Sequence, residues 1–460
     1  MNLCYNDLTM GRVFSRLRWV VVLAVLSGCS TGVASYRPAP SVLPRTERAM
    51  KAPGFWVSLQ PHPDRVLMDP LAIKEFNQRV VKELGLVSDL SAIPDPYVGA
   101  ELSAQLEKPL TEIRKKNLYQ SDGQRPHPAF WERLRENLNL AAIPSVIELR
   151  YGLIVHYADQ RIFPTAEVLT AKPRDIDFDE LQNNTFDVGT PVVILHESAD
   201  REWCYVLAEL SSGWIKKEFI AVSDRGDWEQ FLKPDKSVTV TEAKADIFLD
   251  PEMTRYYDYA RMGTPFGGAT DRGTEAVRVL LPGRDAQGKY VRQAGYLRVG
   301  DVSDRDLPFT PRHVLEQAFK LLNAPYGWGG MYGEQDCSAF LIEIFSTFGI
   351  RLPRNSGDQA KVGRILEEFS DETSEPHKAE LLAREAVGGA TLLPMKGHIM
   401  LYLGDVDGRP YAIHDTWGYR ERNGWLRVIN RVAVTDLSLG ENSKKGSLLK
   451  RLKSVNVLSP

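Results

Sequence analysis

Asp336-Cys337-Ser338 stands where an apolar stretch begins, with Phe340, Ile344, Phe345 and Phe348 recurring at helical spacing up to Gly349. That order predicts a helix with the thiol in its first turn. A thiol there meets the helix's positive end and its free N–H groups, which favour thiolate over thiol. The same groups can stabilise an oxyanion. Gly327, Gly329 and Gly330 precede the cysteine and let backbone approach closely beside it. Alone, such a cysteine is more often a buried structural one, and two histidines change the reading. His398 opens the alternating run His-Ile-Met-Leu-Tyr-Leu403, and Arg409 to His414 reads as its antiparallel partner. A hairpin centred on Val406, near Asp405, Asp407 and Gly408, sets His398 directly opposite His414, with Cβ atoms about 4.5–5.5 Å apart. A one-residue slip would separate them. Cysteine, histidine and a polar orienter are the parts of nucleophilic catalysis. Cys337 is the candidate nucleophile, and one of the two imidazoles can orient the other.

The elements that must hold these groups are written around them. Thr310 can cap a helix begun by Pro311, with Val314, Ala318, Leu321 and Leu322 on its apolar face. Strands follow from Thr391, so an α+β domain is predicted over 303–460. Ahead of it, Glu148–Val155, Thr190–Leu195, Trp203–Leu207 and Ser212–Ile215 are short runs separated by turn residues. They predict a small antiparallel barrel over 146–230. Ser237–Thr241, Ala276–Leu281 and Tyr290–Leu297 predict a second over 231–302. Earlier still, Asp69 and Pro70 start a helix carrying Ile73, Phe76, Val80 and Leu84. Another helix is expected from about Pro128 to Leu140, with loops between the two. Segment 46–145 reads as mostly helical and free of chemistry.

At 460 residues the chain is too long for one core, and roughly 100–200 residues per domain gives about three or four. A net charge of −3 offers no basic excess for nucleic acid. Cys4, Cys29, Cys204 and Cys337 show neither a pairing rhythm nor C-x-x-C spacing, which argues against a disulfide scaffold and a zinc site. No metal motif or cofactor signature appears. Cys204, in a strand rich in aromatic residues, is predicted to be a buried thiol. Arg114-Lys-Lys116 and Lys450-Arg451 read as solvated faces.

Arg12, Arg16 and Arg18 precede the apolar run Trp19–Leu26, and small residues follow. This is the order of a secretory signal, and the run is far short of the ~20 residues of a spanning helix. With Met10 as the start, the basic region would lie at the front. Leu26-Ser-Gly-Cys29 resembles a bacterial lipobox. That resemblance implies cleavage after residue 28, lipid on Cys29 and, with Ser30 next, an outer-membrane anchor on the periplasmic side of the envelope. Residues 29–45 read as a tether, with prolines and small residues from Ser30 to Arg45.

Tyr326-Gly-Trp-Gly-Gly330, Asp336-Cys-Ser338, Gly397-His-Ile-Met-Leu-Tyr402 and Ile413-His-Asp415, in that order, resemble the NlpC-type cell-wall cysteine peptidases. The resemblance implies a papain-like domain with Cys337 as nucleophile, His398 as base and His414 as its orienter. Leu352-Pro-Arg-Asn-Ser-Gly-Asp-Gln359 is similar to that family's substrate-side loop, where members often carry an acid in place of Asn355. Tyr326, Trp328, Asp336, Ser338, Arg354 and Ser356 are the expected substrate contacts. Arg161-Ile-Phe-Pro-Thr165 and Ser212-Gly-Trp-Ile215 make the first barrel resemble bacterial SH3-like domains, and the second shares the resemblance through weaker patterning. The whole arrangement resembles the gamma-D-glutamyl-L-diamino-acid endopeptidases. It implies cleavage between D-Glu and the diamino acid in peptidoglycan stem peptides or released wall fragments. A wall-binding module with little activity, or an amidase or acyltransferase on the same fold, stays open. Asp336 either caps the helix of Cys337 or pairs with the ammonium group of a free N-terminal L-Ala.

Overall fold

The computed structural model describes residues 36–269 and 273–458, so the expected leader 1–28 and Cys29 lie outside the described residues. From Tyr36 onward the chain is not a free tether. Strand β1 (Tyr36–Pro38) pairs in parallel with a late strand, Tyr36 against Leu426 and Pro38 against Val428. Leu43 is buried, and Arg45 forms an ion pair with Glu441 at 2.8 Å. Prolines 38, 40 and 44 suit this edge position, where a full ladder of N–H donors is not needed.

Segment 46–145 is helical but is divided between two cores. Helix α1 (Pro53–Ser58) and helix α2 (Pro70–Gln78) place Trp56, Val57 and, just beyond α2, Val80 in the core of the C-terminal domain. Asp69 starts α2 as expected, its carboxylate accepting from the Ala72 N–H at 2.9 Å. After β2 (Tyr97–Val98), helix α3 (Gly99–Ile113) and helix α4 (Pro128–Asn137) lead to β3 (Val146–Ile147). Their Leu102, Leu106, Leu110 and Leu134 join the core of the first barrel. Helix α3 falls where loops are expected. Pro109 lies inside it and no side chain caps its start, so its leucine repeat is the only local signal. Short helices gain most of their stability from docking an apolar face against a core.

The first barrel has strands β4 (Arg150–Ile154), β5 (Ala158–Arg161), β6 (Gln182–Phe186), β7 (Pro191–Glu197), β8 (Trp203–Leu207), β9 (Ser212–Lys216) and β10 (Ile220–Ser223), in the order β10-β4-β7-β8-β9-β5-β6. Cys204 is buried, and burial pushes its thiol up to about 11, as suits an inert structural cysteine. Helix α5 (Arg225–Leu232) leads to a second β unit. Its strands are β11 (Ser237–Val240), β12 (Lys244–Phe248), β13 (Tyr256–Arg261), β14 (Pro265–Gly267), β15 (Ala276–Arg284), β16 (Tyr290–Arg298) and β17 (Val302–Ser303). They form two sheets, β14-β11-β17 and β13-β12-β16-β15, around Val240, Ile247, Phe266 and Leu281.

The C-terminal domain contains α6 (Pro311–Lys320), α7 (Cys337–Ser346), α8 (Ser356–Gln359), β18 (Arg364–Glu368), α9 (Glu375–Glu385), β19 (Thr391–Met395), β20 (His398–Val406), β21 (Arg409–Arg420), β22 (Leu426–Asp436), α10 (Leu448–Arg451) and β23 (Ser454–Val457). Its sheet runs β1-β22-β21-β20-β19-β23-β18. Phe340, Leu341 and Ile344 of α7 share one core with Ile399, Leu401, Ile413 and Val432 of the sheet. Leu381, Leu382, Leu448 and Leu449 of α9 and α10 share another with Met400, Ala412 and Ala433. Alternation along each strand sends neighbouring residues to opposite faces, so this sheet is covered on both.

Candidate active site

Helix α7 begins at Cys337 because Asp336 caps it. One carboxylate oxygen accepts from the N–H groups of Ser338 at 3.0 Å and Ala339 at 2.9 Å, and from the Ser338 hydroxyl at 2.8 Å. Arg354 grips the same carboxylate through Nη2 at 2.8 Å and Nη1 at 3.2 Å. Its Nε donates to Asn184 of the first barrel at 2.6 Å. Gln359 donates to the carbonyls of Ser338 and Pro353. Asp336, Ser338 and Arg354, three of the expected substrate contacts, thus bind one another. Burial alone would raise the pKa of Asp336, but Arg354 and the N–H bonds hold it below the usual carboxylate value. The cap reading of Asp336 stands, and its anionic charge already has a cationic partner. Phe340 N–H bonds to Asp336 O, so Cys337's own N–H is the first-turn donor with no acceptor among the described residues.

The expected thiolate is not the resting state. Cys337 is buried, and burial drives its pKa upward, with the charge of Asp336 acting the same way. The Ile399 N–H, next to His398 in the chain, opposes this at the sulfur. Desolvation outweighs the helix terminus because two of that terminus's N–H groups are already turned onto Asp336.

The two histidines meet, though by a different register from the expected one. The turn is Asp407-Gly408, with φ of 52° and 73°, and β20 bulges between Tyr402 and Gly404. Leu401 therefore pairs with Ile413, which carried one residue on faces His414 with Met400. His398 is the diagonal neighbour of His414. The shift is an even number of residues, so both stay on one face, and diagonal side chains of this length still reach each other. His398 Nε2 lies 2.6 Å from His414 Nδ1, and His414 Nε2 lies 2.9 Å from Thr435 Oγ1 on β22. With Nε2 occupied, Nδ1 of His398 is the nitrogen left for the thiol.

Burial lowers the His398 pKa to about 4, aided by the charge of Arg451 and opposed by Asp336. Burial also depresses His414, followed by His398 and Arg451. At neutral pH both rings are uncharged. Arg451 corrects a second expectation. It is not on a solvated face, for burial lowers its own pKa, its Nε donates to Ser447 O, and its charge reaches both rings.

An aromatic wall stands beside the nucleophile. Phe178, from the first barrel's β5–β6 connection, contacts Trp417 at 5.0 Å, Trp328 at 5.4 Å and Tyr326 at 6.2 Å between ring centroids. Trp328 Nε1 donates to Asp179 O, and Tyr157 Oη donates to Gly330 O. A Cβ on Gly330 would lie 2.3 Å from Thr185 Oγ1, and one on Gly329 2.9 Å from Gln182 Cγ. These glycines, with φ of 90° and 61°, let the barrel dock on the loop rather than clear space at the thiol. Ser356 is partly buried at the start of α8, and Asn355 is exposed. Burial raises the Tyr326 hydroxyl, with Cys337 and Asp336 adding to the shift. Asp415 is fully buried, and burial, followed by the charge of Asp336, pushes its pKa well above the usual carboxylate value. Phe178, Trp417 and Thr435 were not singled out from sequence, and Arg451 was read only as a solvated charge. Phe178 and Arg451 lie outside any periodic pattern, and Thr435 is one small residue in an ordinary strand.

Residues 323–416 match the NlpC/P60 family, and residues 170–216 match the SH3 domain (SH3b1 type). The gamma-D-glutamyl-L-lysine dipeptidyl-peptidase of Bacillus subtilis (strain 168) is 35% identical over 77 residues. That stretch is 16% of this chain and only 24% of the relative's length. An NlpC/P60 endopeptidase from Photobacterium damselae subsp. piscicida shares the fold, with a TM-score of 0.71 at 20% identity over 92% of this chain and 97% of that one.

Proposed function

For a chain that carries an NlpC/P60 domain and an SH3b domain in a multidomain α+β fold, we propose a cysteine peptidase that hydrolyses peptidoglycan stem peptides with Cys337, His398 and His414. The observation that carries this reading is the 2.6 Å bond between the two imidazoles, with the thiol held at Ile399, the residue after His398. In the mechanism, His398 Nδ1 takes the thiol proton as the sulfur attacks the scissile carbonyl. The Cys337 N–H faces the oxyanion. As the tetrahedral species collapses, the C–N bond breaks, His398 returns the proton to the leaving amine, and a thioester remains. Water, deprotonated by the same nitrogen, then releases the acid and the thiol. Proton transfer inside the pair keeps its net charge at zero, so burial that opposes an isolated thiolate opposes this step less.

The finer reading is cleavage of the gamma-D-glutamyl bond to the diamino acid, which the name of the Bacillus relative supports. A preference for a free N-terminal L-Ala needs a carboxylate other than Asp336. In the stretch beside Phe178, Asp175, Asp179 and Glu180 pair with Lys172, Arg161 and Lys116. Asp177 has no ion-pair partner among the described residues and is the candidate. The test is mass spectrometry of L-Ala-gamma-D-Glu-diaminopimelate and its N-acetylated form after digestion by wild type and Cys337→Ala. Only wild type should release diaminopimelate, and faster from the free amine. Hydrolysis by Cys337→Ala would remove the nucleophile. Lipid anchoring at Cys29 remains our proposal for location, and Cys29→Ala should leave the membrane fraction.

A further inference from the structure

Thr435 is 1% exposed on β22, and its Oγ1 lies 2.9 Å from His414 Nε2. Strands β21 and β22 pair Ala412 with Thr435 and His414 with Ala433, so Thr435 is diagonal to His414 as His414 is to His398. Three side chains step in one line across three adjacent strands. We propose that Thr435 is a positioning residue that supplies the acceptor for one direction of this hydrogen-bonded line, the direction that leaves Nδ1 of His398 free to accept the proton of Cys337. The proposal rests on the reading of Cys337 and His398 as nucleophile and base.

A neutral imidazole donates at one nitrogen and accepts at the other. The line therefore has two directions. In the first, His398 Nε2–H donates to His414 Nδ1, and His414 Nε2–H donates to Thr435 Oγ1. His398 Nδ1 then carries a lone pair and can take the thiol proton. In the second, the Thr435 hydroxyl donates to His414 Nε2, and His414 Nδ1–H donates to His398 Nε2. His398 then keeps its proton on Nδ1 and cannot act as a base. Once His398 is doubly protonated it must donate at Nε2, so only the first direction is compatible with the protonated base. Thr435 Oγ1 is the acceptor that direction requires. His414 is itself 1% exposed. Without Oγ1, the competent tautomer would bury an N–H with no acceptor, a condition native structures rarely tolerate.

The test compares Thr435→Val, which keeps the shape and deletes the hydroxyl, with Thr435→Ser, which keeps the hydroxyl. Thr435→Val should lower kcat by roughly 10–100-fold with KM within about twofold, on the scale of losing much of a general-base contribution. Thr435→Ser should stay within about threefold of wild type. Alkylation of Cys337 by iodoacetamide should slow in the Val variant, and its pH profile should move upward. In wild type, the ¹⁵N signal of His414 Nε2 should be that of a protonated nitrogen, a measurement that needs no variant to fold. A lone-pair signal there would overturn the proposal, as would wild-type kcat in a folded Thr435→Val. Cys337→Ala reports separately on the nucleophile, since it should abolish alkylation and hydrolysis where Thr435→Val only slows them.

Discussion

Arg354 and Arg261 both reach toward helix α7, and both are less than a tenth exposed. Arg354 meets the front of the helix, where it faces a single carboxylate, Asp336, and ties it to Asn184 of the first barrel. Arg261 comes from the second β unit and bonds Asp187 of the first barrel at 2.8 and 3.1 Å. It also lies 3.6 Å from Glu343, two turns along α7. The front clamp therefore holds one cation and one anion, while the rear clamp holds one cation and two carboxylates. Glu343 Oε1 has no hydrogen-bond partner among the described residues, and burial raises its pKa to about 8 against the pull of Arg261. A cavity of about 220 Å³ lies along the same face of α7, lined by Asp187, Arg261, Ala339, Ile342 and Glu343. Similar chemistry thus gives a charge-balanced anchor beside the nucleophile and a proton-balanced one behind it. Placing the charge-closed clamp next to Cys337 keeps the cap of the nucleophile's helix constant across the working pH range.

The comparison breaks most visibly at the front. Arg354→Met strands the Asp336 carboxylate in a buried site, a change that typically costs about 3–5 kcal/mol. We expect a large loss of stability to denaturant and at least a tenfold fall in kcat as the start of α7 loosens. The double variant Asp336→Asn, Arg354→Met should regain part of the stability. Unaltered melting of the single variant would show that Arg354 is not a clamp.

At the rear, the expected effect is smaller and depends on pH. Glu343 is protonated in the fold up to about pH 8 and ionised in the unfolded chain above its ordinary value of 4.5. The folded state then binds the extra proton, so this group makes stability fall as pH climbs from about 4.5 to about 8, and level off above that. Glu343→Gln should melt a few degrees above wild type at pH 8, with the gap closing toward pH 5. A gap independent of pH would mean that Glu343 does not titrate in this window.

The smallest effect sharpens the front half. With His398 at about 4, the acid limb of kcat/KM should lie well below the 6.5 of a free histidine. Arg451 contributes to that depression, so Arg451→Gln should move the limb upward by less than about one pH unit, since burial is the larger cause. An unchanged limb would assign the depression to burial alone.

Legibility in the sequence follows the range of the interactions. The cap at Asp336, the start of α2 at Asp69 and the cap at Thr310 were readable because capping joins residues two or three apart. The strands of His398 and His414 were readable from alternation. Their register was not, because a bulge after Tyr402 shifts the pairing without changing the pattern of side chains. Helix α3 was obscured by Pro109 and an uncapped start. The sequence suggested an activated thiolate from the helix terminus, and burial reversed that direction.

By itself, then, the sequence determined the parts: a nucleophile at a helix start, two histidines on one face of a hairpin, and a β-rich region ahead of them. These depend on spacing along the chain, which the sequence states directly. Tertiary structure decided the partners: Arg354 for Asp336, Thr435 for His414, Arg451 near both imidazoles, and Phe178 from another domain in the wall of the cleft. It also decided the protonation states, because the cost of a charge depends on which atoms replace water around it. Those atoms come from segments tens to hundreds of residues away, and no local pattern encodes them.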